Sequence, residues 1–304
     1  MNAIFPIFEH LHPDYRARAT ENDDSRIEWI RTDRWIPYPQ AEKILFHLND
    51  LLSYPPRGRM PCLLLYGHTG IGKSKIIEKY MRDNPPLRNT ATGKTSMPVV
   101  AFQMPSEPTE SLFYMELLRA METPISSHNG VGSLRNLSRR MLHEMGTRML
   151  IIDEIHALLS GTPRAQRLFL NEIRFLANDL RLPMVCIGTQ EARAAITTDP
   201  QLADRFEAFE LMPWKSNKML ADLLTSFEVT LPLRLPSTLT TPQVGRRIID
   251  MTSGITVRIL RLIESAAVQA IRTGREMLDE ASFTDETLVL PLASMTSRIA
   301  RASR

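Results

Sequence analysis

One stretch constrains this chain more than any other: Cys62-Leu63-Leu64-Leu65-Tyr66-Gly67-His68-Thr69-Gly70-Ile71-Gly72-Lys73-Ser74, an apolar run that breaks into a glycine-rich turn ending in Lys-Ser. The spacing Gly67-x-x-x-x-Gly72-Lys73-Ser74 is a complete phosphate-binding P-loop pattern. Glycines at 67, 70 and 72 allow backbone conformations closed to residues with a Cβ, so successive amides of the loop can converge on one anion. A helix beginning there adds orphan amides and a favourable dipole. Lys73 is placed to reach the β- and γ-phosphates of a nucleotide, and the Ser74 hydroxyl to ligate Mg²⁺. The flanks agree, with a short strand over Leu63 to Tyr66 and a helix over Lys75 to Met81. Thr92-Gly93-Lys94-Thr95 lacks the first glycine and any apolar lead, and reads as a loop.

The second landmark is Met149-Leu150-Ile151-Ile152-Asp153-Glu154, a buried parallel strand whose acidic end emerges at the ligand edge of a sheet. Coming about 80 residues after a P-loop, Asp153 belongs in the Mg²⁺ shell and Glu154 is the base that orients and deprotonates water. His156 reads as a packing or supporting residue. Leu182 to Thr189 predicts a further strand, with Thr189 at its end placed to report on a γ-phosphate. Phe206 to Leu211 alternates apolar and polar residues as a strand does, and Arg205 stands just before it. That arginine is either a solvated loop charge or a finger reaching a neighbouring subunit's γ-phosphate, and Arg193 on the same connecting segment competes for the role.

The chain has 304 residues, room for about two domains. With 43% hydrophobic and 23% charged residues it should be a soluble globular protein. A net charge of +3 permits nucleic-acid binding without requiring it. Cys62 and Cys186 fall in apolar runs and read as buried thiols of a reducing compartment. No apolar run approaches the ~20 residues of a membrane span and Met1 to His10 has no signal-peptide pattern, so a cytoplasmic location is expected.

Residues 1–34 mix charges of both signs and read as an N-terminal extension with a short helix near Ile27 to Ile30. Trp35-Ile36-Pro37-Tyr38-Pro39 makes a rigid elbow, read either as a strap packed on the core or as an apolar wall for a nucleobase formed by Trp35 and Ile36. Residues 35–212 form the α/β nucleotide-binding domain, residues 213–280 a small all-helical lid, and residues 281–304 a flexible tail. Arg258, near the start of the last long helix, is placed to fold back on the phosphates.

The order of these parts resembles an AAA+ ATPase over roughly residues 35 to 275. The elbow, Arg59-Met60-Pro61, the P-loop, Leu150 to His156 and Gly188-Thr189-Gln190-Glu191-Ala192 are similar to the TniB family of ATP-binding transposition proteins, related to TnsC and more distantly to MuB. The resemblance implies a P-loop NTPase fold with a parallel five-stranded sheet and a helical lid. It also implies ATP and Mg²⁺ as ligands, and a slow regulatory ATPase that forms rings or filaments on double-stranded DNA. Its implied partners are a DDE transposase like TniA and a protein like TniQ. It makes Thr189 the first sensor, Arg205 the finger and Arg258 the second sensor. A helicase-loading ATPase, or a binding switch with little turnover, is the competing expectation.

For DNA the best local candidates are Arg135, Arg139 and Arg140 on one helix, with Lys94 as an outsider. Neither a helix-turn-helix nor a zinc motif is evident, which favours sequence-independent contacts to the phosphate backbone.

Overall fold

A computed structural model describes residues 8–107, 109–126 and 130–284. The expected flexible tail therefore lies outside the described residues from 285 onward. The chain divides into two compact units, one of residues 40–212 and one joining residues 1–39 to residues 213–304.

In the first unit the apolar runs become β1 (Cys62–Gly67), β4 (Val99–Gln103), β5 (Met149–Asp153) and β6 (Met184–Gly188), and the alternating run becomes β7 (Phe206–Leu211). They form one five-stranded sheet in the order β4-β5-β6-β1-β7, with every pairing parallel. Parallel strands need long crossovers, which bring helices onto the sheet faces, and the central strands are accordingly apolar up to their C-terminal ends. All of β1 and β6 is buried, whereas β7 at the edge is only partly so. The helices are α3 (Pro39–Ser53), α4 (Lys73–Asp83), α5 (Glu110–Ala120), α6 (Val131–Glu144), α7 (Pro163–Asp179), α8 (Gln190–Thr197) and the short α9 (Pro200–Ala203). Phe113 sits at the centre of one side of the core, edge-on to Phe102, Tyr114 and Phe169. The polar segment after α4, expected as a loop, contains a two-stranded hairpin of β2 (Leu87–Arg88) and β3 (Thr95–Ser96). Cys62 and Cys186 are free thiols in the sheet, pushed to high pKa by burial.

The second unit is helical, with α1 (Pro13–Ala19), α2 (Asp23–Arg31), α10 (Lys218–Thr230), α11 (Pro242–Thr252) and α12 (Thr256–Arg272). The N-terminal segment expected as a separate extension packs here, α2 lying against α12. Arg26, fully buried, explains the attachment: its guanidinium donates to both Glu276 carboxylate oxygens at 2.7 Å, to the Pro232 carbonyl at 3.0 Å and to Asp23 at 2.7 Å. A buried cation must be paired and hydrogen-bonded, and the residues that satisfy it come mostly from the far end of the chain. No helix among the described residues is long and apolar enough to cross a membrane.

Candidate nucleotide site

Parallel strands place their C-terminal ends on one edge, so Gly67, Asp153 and Gly188 finish side by side on β1, β5 and β6. From β1 the chain turns through His68 to Gly72 into α4. Gly72 is the N-cap of α4 at φ 106°, a left-handed conformation that a side chain would resist. Ile71 is buried beneath the loop, so this turn has an apolar anchor.

Lys73, the first residue of α4, is 6% exposed, and its ammonium donates to the carbonyls of Gly67 at 2.9 Å and His68 at 3.0 Å. Two of the roughly three hydrogens of an ammonium are thus taken by the loop itself. Burial pushes its pKa down, while the negative charges of Glu154 and then Asp153 push back. The lysine and the acidic pair are therefore close enough to act on one another. Ser74 donates its hydroxyl to Asp153 Oδ2 at 2.8 Å, which brings two hard oxygen ligands together as a small divalent cation requires. These residues fit Mg²⁺.

Asp153 Oδ1 also accepts from the Glu154 amide at 2.7 Å. Glu154 follows at φ 57°, a left-handed turn that ends β5 and begins the 3-10 turn Ile155–Ser160. Its carboxylate lies 3.2 Å from His156 Nε2. Together with Ser74, Asp153 and Gln103 it lines a cavity of about 640 Å³ along α4. Thr189 occupies the N-cap position of α8 without a side-chain capping bond, and its hydroxyl donates to Glu191. That hydrogen bond is the main reason the Glu191 carboxyl titrates below its usual range, with help from its own backbone amide and the nearby His156 and His68. Gln190 and Tyr66 both donate to Glu210 on β7, at 2.7 and 3.3 Å. Glu191, Gln190 and Glu210 were not singled out in the sequence. Only the resemblance in Gly188-Thr189-Gln190-Glu191-Ala192 touched two of them.

Arg205 precedes β7, at the edge of the sheet where strands begin, with Phe206 opposite Cys62 in register. The six residues of β1 separate that edge from the P-loop by about 20 Å. Its guanidinium donates to Asn178. Arg193 on α8 instead lies on the P-loop side, 5.7 Å over the Tyr66 ring.

Trp35, Ile36 and Arg258 belong to the helical unit. There Trp35 stacks on Tyr38 at 6.2 Å, and Tyr38 in turn meets Trp214 at 5.2 Å, so the elbow is strapped to its own unit's core. Ile36 lines a 190 Å³ pocket there with Phe227 and Leu260. Arg258 lies half-buried in the first turn of α12.

The basic face of α6 is not a free cationic stripe. Arg135 pairs with Glu172 at 2.9 Å and donates to the Tyr114 hydroxyl, pinning α6 to α7 and α5. Arg139 pairs with Asp179 at 2.6 Å. Arg140 is exposed with Glu144 at 3.8 Å, and Lys94 is exposed in the hairpin.

A family model described as "Bacterial TniB protein" matches residues 26–216, which take in the elbow, the P-loop, the acidic strand end and the Gly188 to Ala192 segment. The chain belongs to the TniB family. Comparison with curated proteins finds no match. Among solved structures, this TniB chain is similar to Cdc6p from Pyrobaculum aerophilum at 17% identity and a TM-score of 0.59, covering 82% of this chain and 67% of that one. It is similar to the Aeropyrum pernix ORC2 protein, solved as ADPNP-ADP complexes, at 19% identity and a TM-score of 0.58, over 86% and 72% of the two chains. The Aeropyrum pernix ORC1 protein in complex with DNA matches at 19% identity and a TM-score of 0.56, over 90% and 69%. The TniB chain therefore has the AAA+ P-loop fold.

Proposed function

We propose that this TniB protein is an ATPase whose nucleotide state governs its assembly on double-stranded DNA and, through that assembly, the recruitment or activation of a TniA-like DDE transposase in the cytoplasm, with a TniQ-like protein as a further partner. The observation that carries the reading is the Ser74–Asp153 hydrogen bond of 2.8 Å, which joins a complete P-loop to an acidic strand end inside a TniB-family chain.

The loop amides and Lys73 hold the phosphates of ATP. Ser74 and Asp153 would hold Mg²⁺, which when bound neutralises charge on the phosphate oxygens. Glu154 takes a proton from water as its oxygen bonds to the γ-phosphorus. The bond from that phosphorus to the β,γ-bridging oxygen breaks, and its electron pair leaves on ADP. Thr189, at the adjacent strand end, senses the γ-phosphate, and Arg258 serves as the second sensor. Arg205, on the far edge of its own sheet, serves the site of a neighbouring subunit. Trp35 and Ile36 are assigned to the base end of the nucleotide. The exposed Arg140 and Lys94 remain for DNA phosphates, with Arg135 and Arg139 committed to α5, α6 and α7. That an Aeropyrum ORC1 structure of the same fold contains DNA supports a role on duplex DNA.

Electron microscopy of the purified chain with duplex DNA, with and without a non-hydrolysable ATP analogue, tests this. Rings or filaments that need the analogue are expected. Equal assembly without nucleotide refutes the proposal.

A further inference from the structure

His156 follows the nucleotide cradle in the chain, and its ring comes close to the side chain of Glu154, with Nε2 at 3.2 Å from Oε2. The other ring nitrogen, Nδ1, is buried and without a hydrogen-bond partner. An N–H buried with no acceptor would carry a full desolvation penalty, so the ring proton belongs on Nε2, the nitrogen that lies 3.2 Å from the carboxylate. The backbone turn behind the ring is also held in place. The 3-10 turn that carries it begins at Ile155, which is 1% exposed, and the Ala157 amide donates to the Glu154 carbonyl at 2.9 Å. Gly188 closes against the same turn so tightly that a Cβ there would lie 3.1 Å from Ile155 Cγ2 and 3.5 Å from the His156 amide nitrogen. Glu154, by contrast, sits on a left-handed backbone at φ 57° with its carboxylate open to the cavity along α4. Its side chain needs an external partner to keep one rotamer, and a loose general base misses the water it should deprotonate.

We propose that His156 is a positioning residue for hydrolysis: its Nε2–H holds Glu154 Oε2, leaving Oε1 to receive the proton of the attacking water. The inference rests on the ATPase reading above and adds a residue to it. Because the turn that carries His156 packs against β6 and α8, the same contact ties the base to the strand end that carries Thr189. Nucleotide binding rests on the loop, Lys73 and Ser74, and is expected to be independent of His156.

The test compares His156→Met, of similar bulk without a donor, with His156→Gln, which puts an amide N–H near the position of Nε2. Steady-state ATP hydrolysis and the affinity for a fluorescent ATP analogue are measured on the full chain. His156→Met should lower kcat ten- to a hundredfold with KM and analogue affinity unchanged. His156→Gln should stay within about threefold of the parent, since it restores the donor. Wild-type kcat in His156→Met overturns the inference, and so does equal loss in both variants, which would mean that the ring acts by packing alone. Glu154→Gln is run alongside: loss of hydrolysis with binding retained keeps the ATPase reading standing whichever way the His156 variants fall. Undiminished turnover in Glu154→Gln overturns that reading and this inference with it.

Discussion

Lys73 shows what the P-loop demands of one residue. Its ammonium is buried, held by two loop carbonyls, and the charges of Glu154 and Asp153 offset part of its desolvation. A cation in that position gains most when a phosphate arrives, because charge-assisted hydrogen bonds in a desolvated site are the strong ones. Lys73→Ala should weaken binding of a fluorescent ATP analogue by about a hundredfold, roughly 3 kcal/mol, in an equilibrium titration. A drop of less than threefold would contradict the assignment. That the lysine, its serine and the acidic pair meet at one sheet edge was legible in the sequence, because each is placed by short-range spacing next to an apolar run. The ion pairs of Arg135 and Arg139 were not. Helical spacing put both arginines on one face as candidates for DNA, whereas Glu172 and Asp179, which hold them, come from α7. Charge pairing between helices leaves no local pattern.

At the scale of elements, Gly188 controls how β6 meets its neighbours. A Cβ there would lie 2.5 Å from Ala192 Cβ and 3.1 Å from Ile155 Cγ2, so α8 and the turn after β5 close over the strand end only because the position is bare. Gly188→Ala should cost about 1–3 kcal/mol, read as a lower urea midpoint at constant m. ATP turnover should fall with it, since the same turn carries Glu154. Strands β1, β5 and β6 were readable from apolar runs in chain order, and β7 from its alternation. Their order in space, with β1 between β6 and β7, follows only from pairing. The β2–β3 hairpin was missed because its strands are two residues each, mostly exposed, and have no alternation to detect.

At the scale of the whole molecule, the helical unit is fastened by Arg26 and Glu276, which are 250 residues apart. Burial is the largest single influence and tends to raise the Glu276 pKa, but the hydrogen bonds from Arg26 and the Arg234 amide, with the charges of both arginines, together outweigh it. The folded value lies below the unfolded one, so its contribution to stability is complete above the ordinary glutamate pKa of about 4.3. It is lost as pH falls from there through the folded value. Arg26 is raised by Glu276 and stays charged throughout this range, so it adds no slope. Melting temperature should therefore drop more steeply below about pH 4.3 in the parent than in Glu276→Gln. Arg26→Met should cost about 3–5 kcal/mol by stranding a buried carboxylate, measured by denaturant unfolding at neutral pH.

Arg205 poses the question at the level of the assembly. Since it stands at the edge of the sheet opposite its own P-loop, a role in hydrolysis requires a neighbouring copy. Arg205→Ala and Glu154→Gln chains should each be inactive, yet a 1:1 mixture should recover about a quarter of parental turnover, the share of head-to-tail interfaces that combine an intact base with an intact finger. No recovery at any mixing ratio would leave Arg193 as the better candidate.

What the sequence determined by itself was the chemistry of the strand ends: glycine spacing, a lysine, a serine and two carboxylates, each next to an apolar run that can only be a buried strand. Those choices are local, and local patterns survive in one dimension. The tertiary structure decided which charges are already spent, that the N-terminal segment joins the C-terminal helices, and that His156 stands behind Glu154. These depend on groups brought together from distant parts of the chain, where the cost of leaving a buried charge or donor unpaired selects the partner.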